Sequence, residues 1–281
     1  PALLFYGVGG DKMKKVGVHA FAACADMAVV GFTEVIGKLQ FIMDVRSQLK
    51  TFMAREKPAL LIIIDYPDFN IPLAKAAKKM GIPVFYYISP QVWAWRKGRI
   101  KTIARIVDAM AVILPFEEEL YRQADVPVKF VGHPLLDVVK TTLSKEEAKK
   151  TFGLRPDWTT IGLLPGSRKN EADVLLPEML KAAQILKERM KTVQFVLPLA
   201  DTLPPSFVEQ ILQQHALEVI LIRNNVYDVI HVSDLAVVAS GTATLETALL
   251  ETPMIIVYKV SRLSYYIGKT FINISHIGLA N

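Results

Sequence analysis

A chain of 281 residues with 52% hydrophobic side chains has the length for one large or two ordinary domains and is too apolar to be disordered. Its formal charge of +6 favours anionic partners such as phosphate groups, anionic lipid or nucleic acid. No apolar run approaches the ~20 residues that a membrane-crossing helix needs, and the single cysteine, Cys24, excludes an intramolecular disulfide. The five histidines fall in no metal-ligand spacing, which argues against structural zinc and, with one cysteine, for a reducing compartment.

In chain order, Gly7-Val8-Gly9-Gly10 follows a short strand and reads as a plain turn, because the later glycine and acidic residue of a dinucleotide fingerprint are missing. Residues 29–45 are more apolar than a one-sided surface helix requires. Val30, Phe32, Val35, Ile36, Leu39, Phe41, Ile42 and Met43 suit a core helix, or a patch facing acyl chains or a membrane. Residues 59–64 read as a strand buried on both faces, 70–80 as a helix and 84–88 as the next strand. The alternation continues with a strand over 109–114, a helix over 116–123 and a strand over 128–131. A polar stretch then carries the capping box Ser144-Lys145-Glu146-Glu147, opening a helix that stops near Gly153. Strands over 159–164, 193–198, 217–222, 235–239 and 254–258 follow, with helices over 171–190 and 244–250. The pattern predicts an α/β fold of two Rossmann-like parallel-sheet domains facing a cleft, residues 1–140 and 141–281, joined near 137–145.

Four stretches at strand ends carry candidate chemistry. Asp65 follows a strand directly, where open α/β sheets place their ligands. Its carboxylate could serve as a general base, with Asp68 or Asn70 fixing its orientation; alternatively Asp65 is a turn residue and Asp68 caps the next helix. Trp93, Trp95 and Arg96, with Lys97 and Arg99, could form an aromatic and cationic face for a lipid or sugar phosphate, or a buried aromatic pair with a solvated basic tail. Gly166, Ser167 and Arg168 offer backbone N–H groups and a guanidinium to a leaving diphosphate, or form an ordinary strand-to-helix turn. Ser240, Gly241 and Thr242 let a ligand approach a helix N-terminus with Glu246 in reach of ribose hydroxyls, or simply allow close helix–sheet packing. No Asp-x-Asp pair is present, so helix ends and Arg168, with no metal, are expected to stabilise the diphosphate.

The order of these motifs resembles the lipid-A-disaccharide synthases. The resemblance rests on Gly-Val-Gly-Gly at 7–10, the Asp65–Asn70 run, Ser-Pro-Gln-Val-Trp-Ala-Trp-Arg at 89–96, Leu-Pro-Phe-Glu at 114–117, Val-Gly-His-Pro-Leu at 131–135, Leu-Pro-Gly-Ser-Arg at 164–168 and Ala-Ser-Gly-Thr-Ala-Thr-Leu-Glu at 239–246. It implies a glycosyltransferase of the B fold type, inverting and metal-independent, with no cofactor beyond the UDP-sugar donor. UDP-2,3-diacylglucosamine would be joined to 2,3-diacylglucosamine 1-phosphate by a cytoplasmic enzyme peripheral to the inner membrane, with no nucleic acid involved.

On that resemblance Asp65 is the base on the acceptor's primary hydroxyl. Gly166, Ser167, Arg168, Ser240, Gly241, Thr242, Glu246 and Asn281 hold the nucleotide sugar. Asp68, Asn70, Trp93, Trp95, Arg96, Phe32, Val35, Ile36 and Leu39 lie on the acceptor and lipid side. The family begins with a further strand and loop and continues beyond Asn281, so both domains are expected to be incomplete here. Another UDP-N-acetylglucosamine transferase or epimerase of the same fold, or an inactive membrane-associated fragment, are the competing readings.

Overall fold

The structure is a computed structural model. It describes residues 3–27, 32–90, 92 and 98–259, with side chains for all of these except residues 25 and 32–38. The chain forms two compact units, Pro1–His133 and Pro134–Asn281, dividing a few residues ahead of the expected junction.

The first unit opens with β1 (Tyr6–Gly9), α1 (Asp11–Lys15) and β2 (His19–Ala23), the two strands pairing in parallel as a separate sheet. The glycine-rich stretch expected to be a turn is therefore mostly strand. A Cβ on Gly9 would lie 2.9 Å from the Met13 sulfur and 3.1 Å from the Met13 Cβ, so a larger residue there would need the Met13 side chain to move. After α2 (Cys24–Met27) and the long α3 (Phe32–Glu56) comes a parallel sheet of β3 (Leu61–Ile64), β4 (Val84–Tyr87), β5 (Ala109–Val112) and β6 (Val128–Phe130), in chain order. The helices α4 (Pro67–Lys79), α5 (Arg99–Ile106) and α6 (Pro115–Arg122) lie between successive strands. α4 buries Phe69, Ile71, Leu73, Ala74 and Ala77, and the two alanines are fully enclosed, letting helix and sheet approach closely.

Two expectations fail here. The strand expected to be buried on both faces is the edge strand β3, and only Ile63 is buried; Ile62 and Ile64 are 45% and 44% exposed. Periodicity cannot distinguish an edge strand from a central one when every residue is aliphatic. The helix expected from residue 70 begins at Pro67, since proline at the first helical position loses no hydrogen bond. Asp68 consequently sits in the first turn of α4, and the cap position belongs to Tyr66.

The second unit contains α7 (Leu135–Val138), α8 (Lys145–Thr151), β7 (Thr159–Leu164), α9 (Lys169–Arg189), β8 (Val193–Leu199), α10 (Pro205–Gln213), β9 (Ile220–Arg223), α11 (Val226–Val232), β10 (Leu235–Ala239), α12 (Thr242–Leu249) and β11 (Met254–Val257). Its sheet is parallel, in the order β11-β10-β7-β8-β9, and all seven residues of β8, between β7 and β9, are buried. The expected capping box of α8 is present: Ser144 Oγ accepts from the Glu147 amide, and the Glu147 carboxylate accepts from the Ser144 amide. Buried Asp228 of α11 accepts from the amides of Thr142 (2.7 Å) and Leu143 (3.1 Å) and from Thr142 Oγ1 (2.7 Å). Three donors offset the desolvation of that carboxylate and tie the segment before α8 to α11.

The short helices α5, α7, α10 and α11 were not foreseen. Each is ten residues or fewer, and tertiary packing supports such pieces more than their own propensity does.

Candidate functional site

The chemistry of the first unit gathers at the carboxyl ends of β3, β4 and β5. β3 runs straight into Asp65 and Tyr66, both left-handed (φ 44° and 37°), and β4 runs into Ile88, also left-handed (φ 62°). Left-handed conformations at three non-glycine residues, one of them β-branched, cost on the order of 1–3 kcal/mol each and persist only where their surroundings impose them. Those surroundings are visible. The Asn70 side-chain amide donates to the carbonyls of Ile64 (3.0 Å) and Asp65 (2.8 Å), and the Tyr86 hydroxyl donates to the Asp65 carbonyl (3.1 Å). The Asp65 amide donates to the Tyr87 carbonyl (3.2 Å) and the Ile88 amide to that of Ala111 (3.1 Å).

These turns open onto a cavity of about 330 Å³ lined by Asp65, Asp68, Ser89, Arg99 and Glu117, with Ile88, Val92 and Ile113 among its apolar walls. Burial raises the Asp65 carboxyl above the ordinary aspartate range, the Tyr66 amide pulling more weakly the other way. Burial, reinforced by the neighbouring Asp65 charge, also raises Tyr86 and keeps its hydroxyl protonated as a donor. Arg99 Nη2 donates to Asp68 Oδ1 at 2.5 Å, so α5 and α4 meet at the cavity through an ion pair. Glu117 is 1% exposed. It accepts from Ser89 Oγ (2.9 Å) and from the Leu114 amide (3.3 Å), bracing the segment after β4 against the turn after β5. Beneath it, burial pushes the Tyr121 hydroxyl up to about 12.

Of the residues assigned to the acceptor side, Asp65 and Asp68 share this cavity. Asn70 does not line it: it is buried and supports the Asp65 turn from below. Leu39 is half exposed on α3. The side chains of Phe32, Val35 and Ile36 lie outside the described residues, as do Trp93, Trp95, Arg96 and Asn281. Ser89 and Glu117 were absent from the expected site. A Pro-x-Glu following a strand is a recognisable helix start, but its burial against another turn leaves no trace in spacing.

In the second unit the strand order reverses between β7 and β10. From β7 the chain proceeds to β8 and β9 on one side, then crosses back to β10 and β11 on the other. Ligands of open α/β sheets bind outside the carboxyl ends of the strands at such a switch point. Both predicted loops stand there, Gly166-Ser167-Arg168 after β7 and Ser240-Gly241-Thr242 after β10.

Gly166 is left-handed (φ 103°), and a Cβ on it would lie 2.8 Å from the Glu171 carboxylate and 3.6 Å from the Ala239 Cβ. Thr202 Oγ1 donates to the Ser167 carbonyl (2.5 Å), and Arg168, the residue before α9, pairs with Glu171 at 2.6 Å. On the other loop Thr244 Oγ1 donates to the Gly241 carbonyl (2.8 Å), and the Ser240 amide to that of Val257 (2.9 Å). Burial raises the Glu246 carboxyl, and the Tyr227 hydroxyl lies 3.5 Å from it. Tyr227 gave no sequence signal, being a lone tyrosine in a short helix. Two helix N-termini, a guanidinium and a half-buried carboxyl make a surface suited to a nucleoside diphosphate.

Comparison with known proteins is consistent with this chemistry. A family model described as lipid-A-disaccharide synthetase matches residues 1–281. A Syntrophus aciditrophicus protein named lipid-A-disaccharide synthase is 61% identical over the whole chain, which spans 74% of that protein. One of the same name from Geobacter sulfurreducens is 48% identical, again over the whole chain and 73% of the relative. The fold is similar to that of a Neisseria meningitidis UDP-GlcNAc 2-epimerase bound to UDP-GlcNAc (TM-score 0.58, 14% identity, 95% of this chain and 86% of that one). It is also similar to S. aureus MnaA in complex with UDP (TM-score 0.58, 11% identity, 98% and 84%). At such identities the likeness concerns the fold alone: two Rossmann-like domains of the glycosyltransferase B type.

Proposed function

The chain belongs to the lipid-A-disaccharide synthetase family of glycosyltransferases, and from that premise we propose that it joins UDP-2,3-diacylglucosamine to 2,3-diacylglucosamine 1-phosphate. The products are lipid A disaccharide 1-phosphate and UDP; the transfer proceeds with inversion, without a metal ion, at the cytoplasmic surface of the inner membrane. Among the described residues no helix is long and apolar enough to cross a membrane. The half-exposed Leu39 and its exposed neighbours Phe41 and Met43 on α3 are the surface offered to acyl chains.

The observation that carries this reading is the Asp65 turn. A carboxylate held in a left-handed turn by Asn70 and Tyr86, and raised by burial, is a preorganised base whose proton affinity has moved toward neutrality. Asp65 takes the proton of the acceptor's primary hydroxyl as that oxygen attacks the anomeric carbon of the donor. The bond from that carbon to the UDP oxygen breaks, and its electron pair leaves with the diphosphate. The negative charge gathering there is met by the amides at the start of α9, by Arg168, and by Ser240, Gly241 and Thr242 before and within the first turn of α12. Glu246 accepts from the ribose hydroxyls, with Tyr227 fixing its orientation. Attack opposite the leaving group in one displacement inverts the anomeric centre.

The test is turnover of acylated against non-acylated UDP-glucosamine donors, with release of UDP as the readout. Turnover of the acylated donor with the acylated sugar phosphate supports the reaction. Turnover of soluble UDP-N-acetylglucosamine alone, or its epimerisation, replaces it with another chemistry of the same fold.

A further inference from the structure

Asp65 is one of the polar groups that line the cavity; the others are Asp68, Ser89, Arg99 and Glu117. Three of the five are carboxylates, and Arg99 is the one cationic side chain among the described lining residues. Glu117 and Ser89 are committed to each other below the surface. Arg99 is placed differently. It is the first residue of α5, its side chain is 23% exposed, and Nη2 reaches Asp68, whose side chain is 70% exposed. An ion pair to so exposed a carboxylate contributes little to folding. A guanidinium has five N–H donors in a planar fork, so one bond to Asp68 leaves the geometry for a second, bidentate anion.

Resting on the reaction proposed above, we infer that Arg99 recognises the phosphate of the acceptor sugar, with Asp68 holding the guanidinium toward the cavity. The acceptor is bifunctional: a hydroxyl that must lose a proton and a phosphate that carries negative charge. One cavity framed by a raised carboxyl and by a half-enclosed guanidinium presents a partner to each. A phosphate brought in beside Asp65, Asp68 and Glu117 is repelled unless a cation intervenes, and among the described lining residues Arg99 supplies it. The contact also sets specificity, since an acceptor without phosphate forgoes the bond to Arg99.

The experiment compares, in the purified enzyme, the phosphorylated acceptor with the same acylated sugar lacking phosphate. The wild type is expected to favour the phosphorylated acceptor by roughly tenfold or more in kcat/KM. Arg99→Met keeps the apolar stem and is expected to collapse that ratio toward one, the loss appearing mainly as a raised KM for the phosphorylated acceptor. UDP affinity by calorimetry serves as the check that the donor side is intact. Arg99→Gln, which keeps a donor for Asp68, is expected to behave alike and decides the matter where Arg99→Met does not fold. Equal losses on both acceptors, or a preference that survives both substitutions, overturn the assignment. So does a wild type without preference, and in all three cases turnover itself still stands. A wild type that turns over neither acceptor overturns the proposed reaction and the assignment with it.

Discussion

The two candidate sites are built on opposite principles. In the first unit the chemistry sits on strained backbone: Asp65, Tyr66 and Ile88 are left-handed, and Asn70, Tyr86 and Glu117 are buried to hold the strand ends in place. In the second unit the polar groups stand on solvent-facing loops at a strand-order reversal, and Arg168 is 65% exposed. The difference follows from the tasks. A proton-transfer group needs a fixed direction and a shifted pKa, and both require packing. A diphosphate needs donors and positive potential, which the starts of two helices offer without enclosure.

The largest expected effect breaks the first site alone. Asp65→Asn keeps the left-handed turn, which asparagine tolerates, but removes the base. Turnover should fall by about 10²–10⁴-fold while UDP binding by calorimetry is unchanged; near-normal turnover would remove Asp65 from its role. The converse substitution, Arg168→Ala, should weaken UDP binding by roughly tenfold, about 1.4 kcal/mol for one charge-assisted contact. An unaltered UDP affinity would mean that the guanidinium serves only Glu171.

A smaller effect is expected on stability. Ser89→Ala strips a donor from the buried Glu117 carboxylate and should lower unfolding free energy by about 1–3 kcal/mol, measured by denaturant titration. No change would mean that Glu117 is satisfied without it.

The pH dependence sharpens the contrast further. Because burial raises Asp65, kcat/KM for the acceptor should fall with acid through a pKa above the ordinary aspartate value, while UDP affinity does not follow that limb. The sign for stability is the reverse. A carboxyl whose folded pKa is raised holds its proton more tightly in the folded state, so its favourable contribution is complete below the unfolded pKa and lost as pH rises through the folded one. Asp65→Asn should therefore melt no lower than wild type at neutral pH, and slightly higher if the charge is the dominant strain. A clear drop in Tm would show that the ionised carboxylate stabilises the turn.

Much of this was readable in order and spacing. The alternation of aliphatic runs with helical stretches predicted two parallel α/β units, because a strand covered on both faces must be apolar throughout and a crossover helix must follow it. The strand-end positions of Asp65, Gly166-Ser167-Arg168 and Ser240-Gly241-Thr242 were equally legible, since where a strand stops is a local property. What remained hidden is whatever depends on neighbours distant in the chain. The edge position of β3, the first-turn rather than cap position of Asp68, the brace formed by Asn70, and the meeting of Arg99 with Asp68 all depend on packing that sequence does not display. The order β11-β10-β7-β8-β9 belongs to the same class. Each loop is encoded locally, but only the folded sheet sets β7 beside β10 and so brings their loops to one switch point. Local propensity and periodicity determined which elements form; the burial of one element by another decided which of their polar residues became a site.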